Sequence, residues 1–173
     1  MISNLTFSIS KTWGLALSFA VGLAISAQIS IPFYPVPFTL QTLWMMLAIY
    51  YNREIAFKSM CIYLGFSVLG LPVLADFSNA WGLWTKPSAG YVVGFWLAAW
   101  LVWRLKNLSD LSAVILSQVI VLVCGVSYLT YFIGFQEAFI WGGLVFIIPD
   151  ILKGLGAYYL HQFIFSNSTT PKK

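Results

Sequence analysis

The stretch FIIPDILKGLGAYYL, residues 146–160, places Asp150 and Lys153 in an otherwise apolar segment. An ionised side chain in a membrane helix costs about 2.5–3.5 kcal/mol, so it is retained where it faces protein or a water-filled cavity. A spacing of three residues puts both side chains on one face of a helix. They form either a ligand-binding pair or a structural ion pair, in which Asp150 also suits a helix start. The interpretation as a ligand-binding pair is favoured because the other positions predicted on the outer side of the bilayer avoid charge.

The whole chain shares this apolar character. Of its 173 residues, 60% are hydrophobic, 18% are aromatic and only 8% are charged. Soluble domains carry about 25% charged residues, so lipid is the predicted solvent for most of this surface. The net charge of +4 comes from basic residues at the ends of apolar runs, where they face lipid headgroups. This distribution argues against nucleic-acid binding.

The reactive side chains are few and scattered. Cys61 and Cys124 each lie inside an apolar run and are predicted to be free thiols, and His161 is the single histidine. The sequence has no HExxH motif and no cluster of histidine, cysteine and glutamate that would hold a metal. We therefore predict no metal, no cofactor and no enzymatic activity.

The apolar runs predict an all-α integral membrane domain of six transmembrane helices. The first run is too long for the core of a cleaved signal peptide and is interpreted as a span. Pro149 suits the first position of the last helix, with residues 135–148 as an outer connection; the alternative is one long helix from Ala138, kinked at Pro149. The six spans are predicted at about residues 11–31, 38–51, 55–71, 88–105, 111–134 and 149–165.

The positive charges predict the orientation of these spans. Most basic residues fall on one side, which is therefore cytoplasmic, together with both termini. Lys86 falls outside, Lys153 falls within the last helix, and the tail SNSTTPKK is predicted to be solvated. The protein is thus predicted to be a multi-pass protein of the bacterial cytoplasmic membrane. The residues assigned to the cytoplasmic side are Lys11, Arg53, Lys58, Arg104, Lys106, Lys172 and Lys173.

Two of the outer connections have unusual compositions. IPFYPVP, residues 31–37, contains three prolines, which predict a stiff and extended segment. Residues 72–87 are rich in turn residues and contain Trp81 and Trp84. These tryptophans are either interfacial anchors or part of a lid over a pocket.

The first span carries small residues four positions apart, here called the alanine stripe: Ala16, Ala20 and Ala24. Small side chains on one face let another helix approach closely. The sequence leaves two interpretations equally open, packing inside the bundle and docking of a partner membrane protein.

Four stretches in order resemble the biotin-specific S components of energy-coupling factor (ECF) transporters, the BioY family: PVPFTLQTL, GLPVLA, PSAGYVVGF and PDILKG. The resemblance covers residues 16–160. It implies a six-helix membrane domain that binds biotin at its outer side and imports it, usually with a transmembrane coupling protein and two ATPases. Asp150 and Lys153 match the family's biotin-binding pair, and Gly90 and Tyr91 match a glycine–tyrosine beside the pocket. The alanine stripe matches the surface that S components present to the coupling protein.

The first of these stretches, PVPFTLQTL, is expected to cover the ligand. Pro35 and Pro37 are expected to stiffen an outer gate loop, with Thr39 and Gln41 in the first turn of the second span near the ligand. A preorganised cover would lose less ordering entropy when ligand binds.

The second outer loop departs from the family pattern. Asn79 and Ala80 stand in a Gly-Gly-like place, Lys86 precedes Pro87, and Ala89 replaces a frequent glycine. Ala89 is expected either to narrow the pocket or to shift the affinity for the ligand, and Asn79 to compensate by hydrogen bonding to the ureido group.

Other functions stay open at this point. The chain lacks the GxxxxGK[ST] motif of ATP-binding loops, so energy must come from partners, or the protein works alone or as a dimer. One alternative is an S component for riboflavin or thiamin. Another is a structural or assembly subunit that binds no small molecule.

Overall fold

The computed structural model describes residues 2–165; the predicted solvated tail, with Lys172 and Lys173, lies outside this range. The fold is mostly helical, and the described residues form six main helices. They are α1 (Ile2–Gln28), α2 (Gln41–Tyr51), α3 (Arg53–Val68), α4 (Ala89–Arg104), α5 (Asp110–Ile133) and α6 (Phe135–Phe165).

Local capping explains several helix boundaries. The Asn52 backbone N–H ends α2 by donating to the Ala48 carbonyl, and its side-chain oxygen starts α3 by accepting the Glu54 and Ile55 N–H groups. Asparagine is among the best residues for this position. Gly134 has a φ of 81°, a left-handed value suited to glycine, and it separates α5 from α6.

The last helix differs from the favoured prediction. It does not begin at Pro149, because helical structure is continuous from Phe135 to Phe165, so the alternative of one long helix is the closer one. A π-helical segment, Ala138–Leu144, lies between the first α-helical turn and Val145–Phe165. Neighbouring helices make a proline inside a membrane helix tolerable, although it cannot donate a backbone hydrogen bond.

The first two spans also end differently from prediction. α1 ends at Gln28 rather than near residue 31, and α2 begins at Gln41 rather than at residue 38. Between them, β1 (Ser30–Ile31) pairs antiparallel with β2 (Phe38–Thr39). The proline segment is therefore the tip of a short hairpin, here called the proline hairpin (residues 30–39). It is extended at its ends, but it reverses direction between them.

α2 lies at the centre of the bundle. It packs against α1, α3, α5 and α6, and every residue from 45 to 50 is buried. A short helix that is apolar all round is stable only when other helices surround it. This location places the polar residues at the start of α2 in the interior.

Close approach between α4 and α5 depends on glycine. A methyl group on Gly94 would come within 2.9 Å of the Val121 Cα atom and 3.1 Å of the Val121 carbonyl. The first distance is shorter than real contacts and the second is tight, so a side chain at residue 94 would push the two helices apart.

The outer surface suits lipid. α5 spans 24 residues and α6 spans 31, and an 18-residue stretch of each has a mean hydropathy of 2.1 and 1.7, respectively. Both helices are long and apolar enough to cross a membrane. Large apolar side chains remain exposed around the bundle, including Val123, Ile148 and Phe163. In water such a surface would be costly.

Candidate ligand-binding site

A narrow cavity lies where the proline hairpin and residues 72–87 cover the bundle. Its volume is about 50 Å³. Apolar and aromatic side chains dominate its wall, with a few hydroxyl and amide groups and one carboxylate. The lining residues are Val36, Pro37, Thr39, Gln41, Thr42, Leu74, Ala75, Ser78, Leu83, Ser88, Tyr91, Val92, Phe95, Val121, Leu122, Phe146 and Asp150.

A larger open groove of about 410 Å³ lies at the opposite end, beside the α2–α3 junction. Its main cation, Arg53, already donates to the carbonyls of Leu105 and Leu108 and to Asp110. Because Arg53 already has three acceptors and the groove is open, it is a weaker candidate for ligand binding than the smaller cavity.

Asp150 and Lys153 form the ion pair that their spacing predicts. Lys153 Nζ lies 3.3 Å from Asp150 Oδ1 and 3.5 Å from Thr42 Oγ1. The side chains of Lys153 and Asp150 are only 12% and 8% exposed, so the pair does not face lipid. Asp150 lines the cavity directly, whereas Lys153 reaches it through Asp150 and Thr42. The two charges therefore act together at one wall of the cavity.

The start of α2 forms a second polar wall. Gln41 is the first residue of the helix and is 4% exposed, and Thr42 is 8% exposed. Thr39 also lines the cavity, but it lies in β2 rather than in the first helical turn that was predicted. Pro37 lines the cavity, whereas Pro35 does not.

Tyr91 lines the cavity, as the resemblance implied. Its hydroxyl donates to the Gly142 carbonyl in the π-helical segment at 2.7 Å, and its ring lies 5.9 Å from the Phe146 ring. These contacts tie α4 to α6 at the cavity wall.

Gly90 is the second residue of α4, beside Tyr91. It does not line the cavity, and a methyl group at this position would collide with Tyr128 Cβ and the Cys124 carbonyl of α5. Its absent side chain therefore lets α4 and α5 pack closely at this point.

Asn79 makes hydrogen bonds within its own loop. Its amide donates to the Gly70 carbonyl at 3.2 Å, and its oxygen accepts the Trp81 N–H at 3.1 Å. The structure brings neither Asn79 nor Ala89 to the cavity wall. Their neighbours Ser78 and Ser88 line the cavity instead.

The alanine stripe packs inside the bundle. Ala16 and Ala20 are completely buried by the chain's own helices, and Ala24 is partly buried. A docking surface must be accessible, so Ala16 and Ala20 are not available to a partner in this structure. Of the two interpretations left open by the sequence, internal packing is the one observed.

Sequence reasoning missed two residues that organise the site. Thr42 follows Gln41 in the quoted TLQT run, but only the folded chain reveals its contact with Lys153, 111 residues away. Gln28, at the end of α1, holds residues 72–87 in place: its amide donates to the Val73 and Leu74 carbonyls, and its oxygen accepts the Phe77 N–H. No local sequence signal marks either role.

Comparison with known proteins agrees with this geometry. Residues 2–168 match the model of the BioY family. A probable biotin transporter BioY from Pyrococcus horikoshii is 31% identical, over 92% of this chain and 99% of that protein. The biotin transporter BioY of Thermotoga maritima is 28% identical, over 78% and 84% of the two chains.

The fold also matches a solved structure. The crystal structure of an S-component for biotin from an ECF-type ABC transporter superposes with a TM-score of 0.77. The match covers 92% of this chain and 93% of that chain at 22% sequence identity. A likeness at this identity shows a shared fold.

Proposed function

The chain belongs to the BioY family, and from this premise we propose that it binds biotin in the narrow cavity and takes it up across the cell membrane. The protein would act as the S component of an ECF-type transporter. The observation that carries the proposal is the buried Asp150–Lys153 pair at the cavity wall. Membership in a family of biotin transporters also supports the prediction that the chain is not an enzyme.

The cavity wall is chemically suited to biotin. The vitamin has an apolar bicyclic core, a ureido group with N–H donors and a carbonyl, and a carboxylate on an aliphatic chain. Tyr91, Phe95 and Phe146 would contact the apolar parts, while the Asp150 carboxylate would accept a hydrogen bond. Thr42 and Lys153 would supply donors beside that carboxylate.

Ligand binding must widen the cavity. Its volume of about 50 Å³ is far below the ~300–1,000 Å³ of pockets that enclose small molecules. The elements able to move are those that cover it, the proline hairpin and residues 72–87. We infer that these two segments open for entry and close over the bound vitamin.

The arrangement in the membrane follows from the same proposal. The six helices would cross the bilayer with both termini in the cytoplasm and with the cavity at the outer side. Release toward the cytoplasm would use a transmembrane coupling protein and two ATPases, because the chain has no ATP-binding loop motif of its own.

The proposal is tested by removing each charge without changing side-chain size greatly. In Asp150→Asn and Lys153→Met, biotin affinity is expected to fall by at least about tenfold, since hydrogen bonds to charged groups contribute roughly 1.5–3 kcal/mol. Isothermal titration of the purified protein measures this change. Lys86→Met is the matched control, because Lys86 pairs with Asp76 at 3.8 Å outside the cavity.

Wild-type affinity in both charge variants would overturn the assigned site. Competition with riboflavin and thiamin separates the biotin assignment from S components for other vitamins. Uptake of radiolabelled biotin, with and without the coupling protein and ATPases, shows whether the chain works alone. Partner binding without any vitamin binding would identify an assembly subunit instead.

A further inference from the structure

Thr42 has an unused hydroxyl donor at the cavity wall. Thr42 lines the cavity, and its surface is 8% exposed. Within residues 2–165 its hydroxyl makes one hydrogen bond, in which the oxygen accepts from Lys153 Nζ at 3.5 Å. A hydroxyl group that accepts a hydrogen bond still has its own hydrogen to donate. That hydrogen is therefore available to a ligand in the cavity.

The position of Thr42 in α2 explains why this hydrogen is not used by the backbone. Threonine inside a helix often donates to the carbonyl three or four positions earlier, as Thr130 of α5 does to Val126 at 2.9 Å. Thr42 is the second residue of α2, so the carbonyls at those positions belong to Phe38 and Thr39 of β2. Because β2 does not continue the helical turn, these carbonyls are not stacked below the Thr42 side chain.

Lys153 lies behind the cavity wall rather than in it. Its ammonium group is 3.3 Å from Asp150 Oδ1 and 3.5 Å from Thr42 Oγ1, and both of these partners line the cavity, whereas Lys153 does not. Hydrogen bonds in a chain polarise one another, so a hydroxyl that accepts from a cation becomes a stronger donor. Lys153 therefore acts on the cavity through its two neighbours.

We propose that the Thr42 hydroxyl donates to the ureido oxygen of biotin, with Lys153 behind it as a positioning residue. The two ureido N–H groups are the donors that biotin carries at neutral pH, so the Asp150 carboxylate accepts from one of them. The ureido oxygen is attached to the carbon between these N–H groups, whereas the carboxylate lies at the far end of an aliphatic chain. Since Asp150 and Thr42 contact the same ammonium group, a ureido group that meets Asp150 also lies beside Thr42. This inference rests on the proposed function and deepens it.

The test measures biotin affinity by isothermal titration in Thr42→Val and Thr42→Ser. Valine has nearly the shape of threonine but no hydroxyl, so it is expected to weaken binding about five- to tenfold, which is the effect of one hydrogen bond. Serine keeps the hydroxyl and is expected to restore the wild-type affinity. Elution profiles in detergent establish that each variant is folded. Thr42→Ala, which also lacks the hydroxyl, is expected to repeat the loss if valine disturbs the fold.

Thr130→Val is the matched control. Thr130 is partly buried in α5, bonds to the backbone of its own helix and does not line the cavity. The same substitution there is expected to leave biotin affinity unchanged. Wild-type affinity in Thr42→Val, or an equal loss in Thr42→Ser, would overturn the proposal.

The role of Lys153 is tested by combining Thr42→Val with Lys153→Met. If the ammonium group acts through the Thr42 hydroxyl, the loss of affinity in the double variant is expected to be smaller than the product of the two single losses. A loss equal to that product, or larger, would show that Lys153 acts independently of Thr42 and would overturn its assignment as a positioning residue.

Two analogues check which ligand oxygen Thr42 binds. 2-Iminobiotin lacks the ureido oxygen, and biotinol lacks the carboxylate. 2-Iminobiotin is expected to bind wild type and Thr42→Val with equal affinity, while biotin and biotinol both bind the variant more weakly. If Thr42→Val weakens 2-iminobiotin as much as biotin, Thr42 does not bind the ureido oxygen and the inference fails. If wild type binds no biotin, the proposed function fails as well, which is a distinct result.

Discussion

At the scale of single residues, Tyr91 joins three elements at the cavity wall. Its ring packs against Gly125 of α5, and its hydroxyl bonds to the Gly142 carbonyl of α6. A methyl group on either glycine would overlap Tyr91. The position of the Tyr91 ring therefore depends on glycine at residues 125 and 142.

Gly125→Ala is expected to displace the Tyr91 ring. Overpacking of a close contact costs about 1–3 kcal/mol, so the melting temperature should fall. Biotin affinity should fall with it, because Tyr91 lines the cavity. Thermal unfolding in detergent and isothermal titration measure the two effects.

Gly65→Ala provides the control for this change. Gly65 lies in α3, and a methyl group there would meet nothing within 4 Å. Alanine also favours a helix more than glycine does, by about 0.8–1.0 kcal/mol. Stability should therefore stay equal or rise. A Gly125→Ala protein that melts and binds like wild type would show that the Tyr91 ring is not confined as described.

At the scale of elements, the loop of residues 72–87 is held by the end of α1. Gln28 makes hydrogen bonds of 2.9 to 3.2 Å to Val73, Leu74 and Phe77. Asp76 and Phe77 have φ values of 57° and 50°, which residues other than glycine seldom adopt. External hydrogen bonds compensate for this unfavourable backbone, so α1 helps to set the shape of the cavity cover.

Gln28→Leu is expected to loosen the loop and speed the release of bound biotin. The loop contributes Leu74, Ala75 and Ser78 to the cavity wall. Loss of these hydrogen bonds should raise the dissociation rate by about tenfold, equivalent to roughly 1.4 kcal/mol. Chase of labelled biotin with excess unlabelled vitamin measures the rate.

Thr85→Ala tests whether any loop substitution has this effect. Thr85 lies in the same connection, is exposed, and bonds only locally, to the Gly82 carbonyl. Its removal should leave the rate of release unchanged. Equal rates for Gln28→Leu and wild type would argue against α1 as the anchor of the cover.

At the scale of the whole molecule, the two ends have different chemistry. One end carries the narrow cavity and its covering segments. At the other, Arg53 joins the α2–α3 junction to the α4–α5 connection through Leu105, Leu108 and Asp110. The 11 residues of α2 separate the two regions, a distance of about 16 Å along the helix.

Arg53→Lys is expected to lower stability without changing biotin affinity. A lysine ammonium cannot reproduce the planar set of donors that reaches three acceptors, so the loss should be about 1–2 kcal/mol. Thermal unfolding should register it, while titration should return the wild-type affinity. Arg104→Lys, at an exposed position in the last turn of α4, should change neither. A large loss of affinity in Arg53→Lys would mean that the two ends are coupled.

The sequence predicts the parts of this molecule that depend on local pattern. Apolar runs located α4 and α5 to within about one residue, and the three-residue spacing of Asp150 and Lys153 predicted their pairing. The sequence does not show that the Asn79 side chain bonds to Gly70 and Trp81, because an amide has several possible partners and only the folded loop brings these two within reach. The helix continues through Pro149 because neighbouring helices support it. The conformational preference of proline alone does not predict this continuation.

The pairing of Asp150 with Lys153 has an electrical consequence. Because the two groups neutralise each other, they offer no spare positive charge to a ligand that carries one negative charge at neutral pH. Moving such an anion inward against a voltage of 100 mV, negative inside, requires about 2.3 kcal/mol of work. Such a site does not supply this work, so the work must come from the process that drives release. Uptake should therefore be easier when the membrane voltage is abolished.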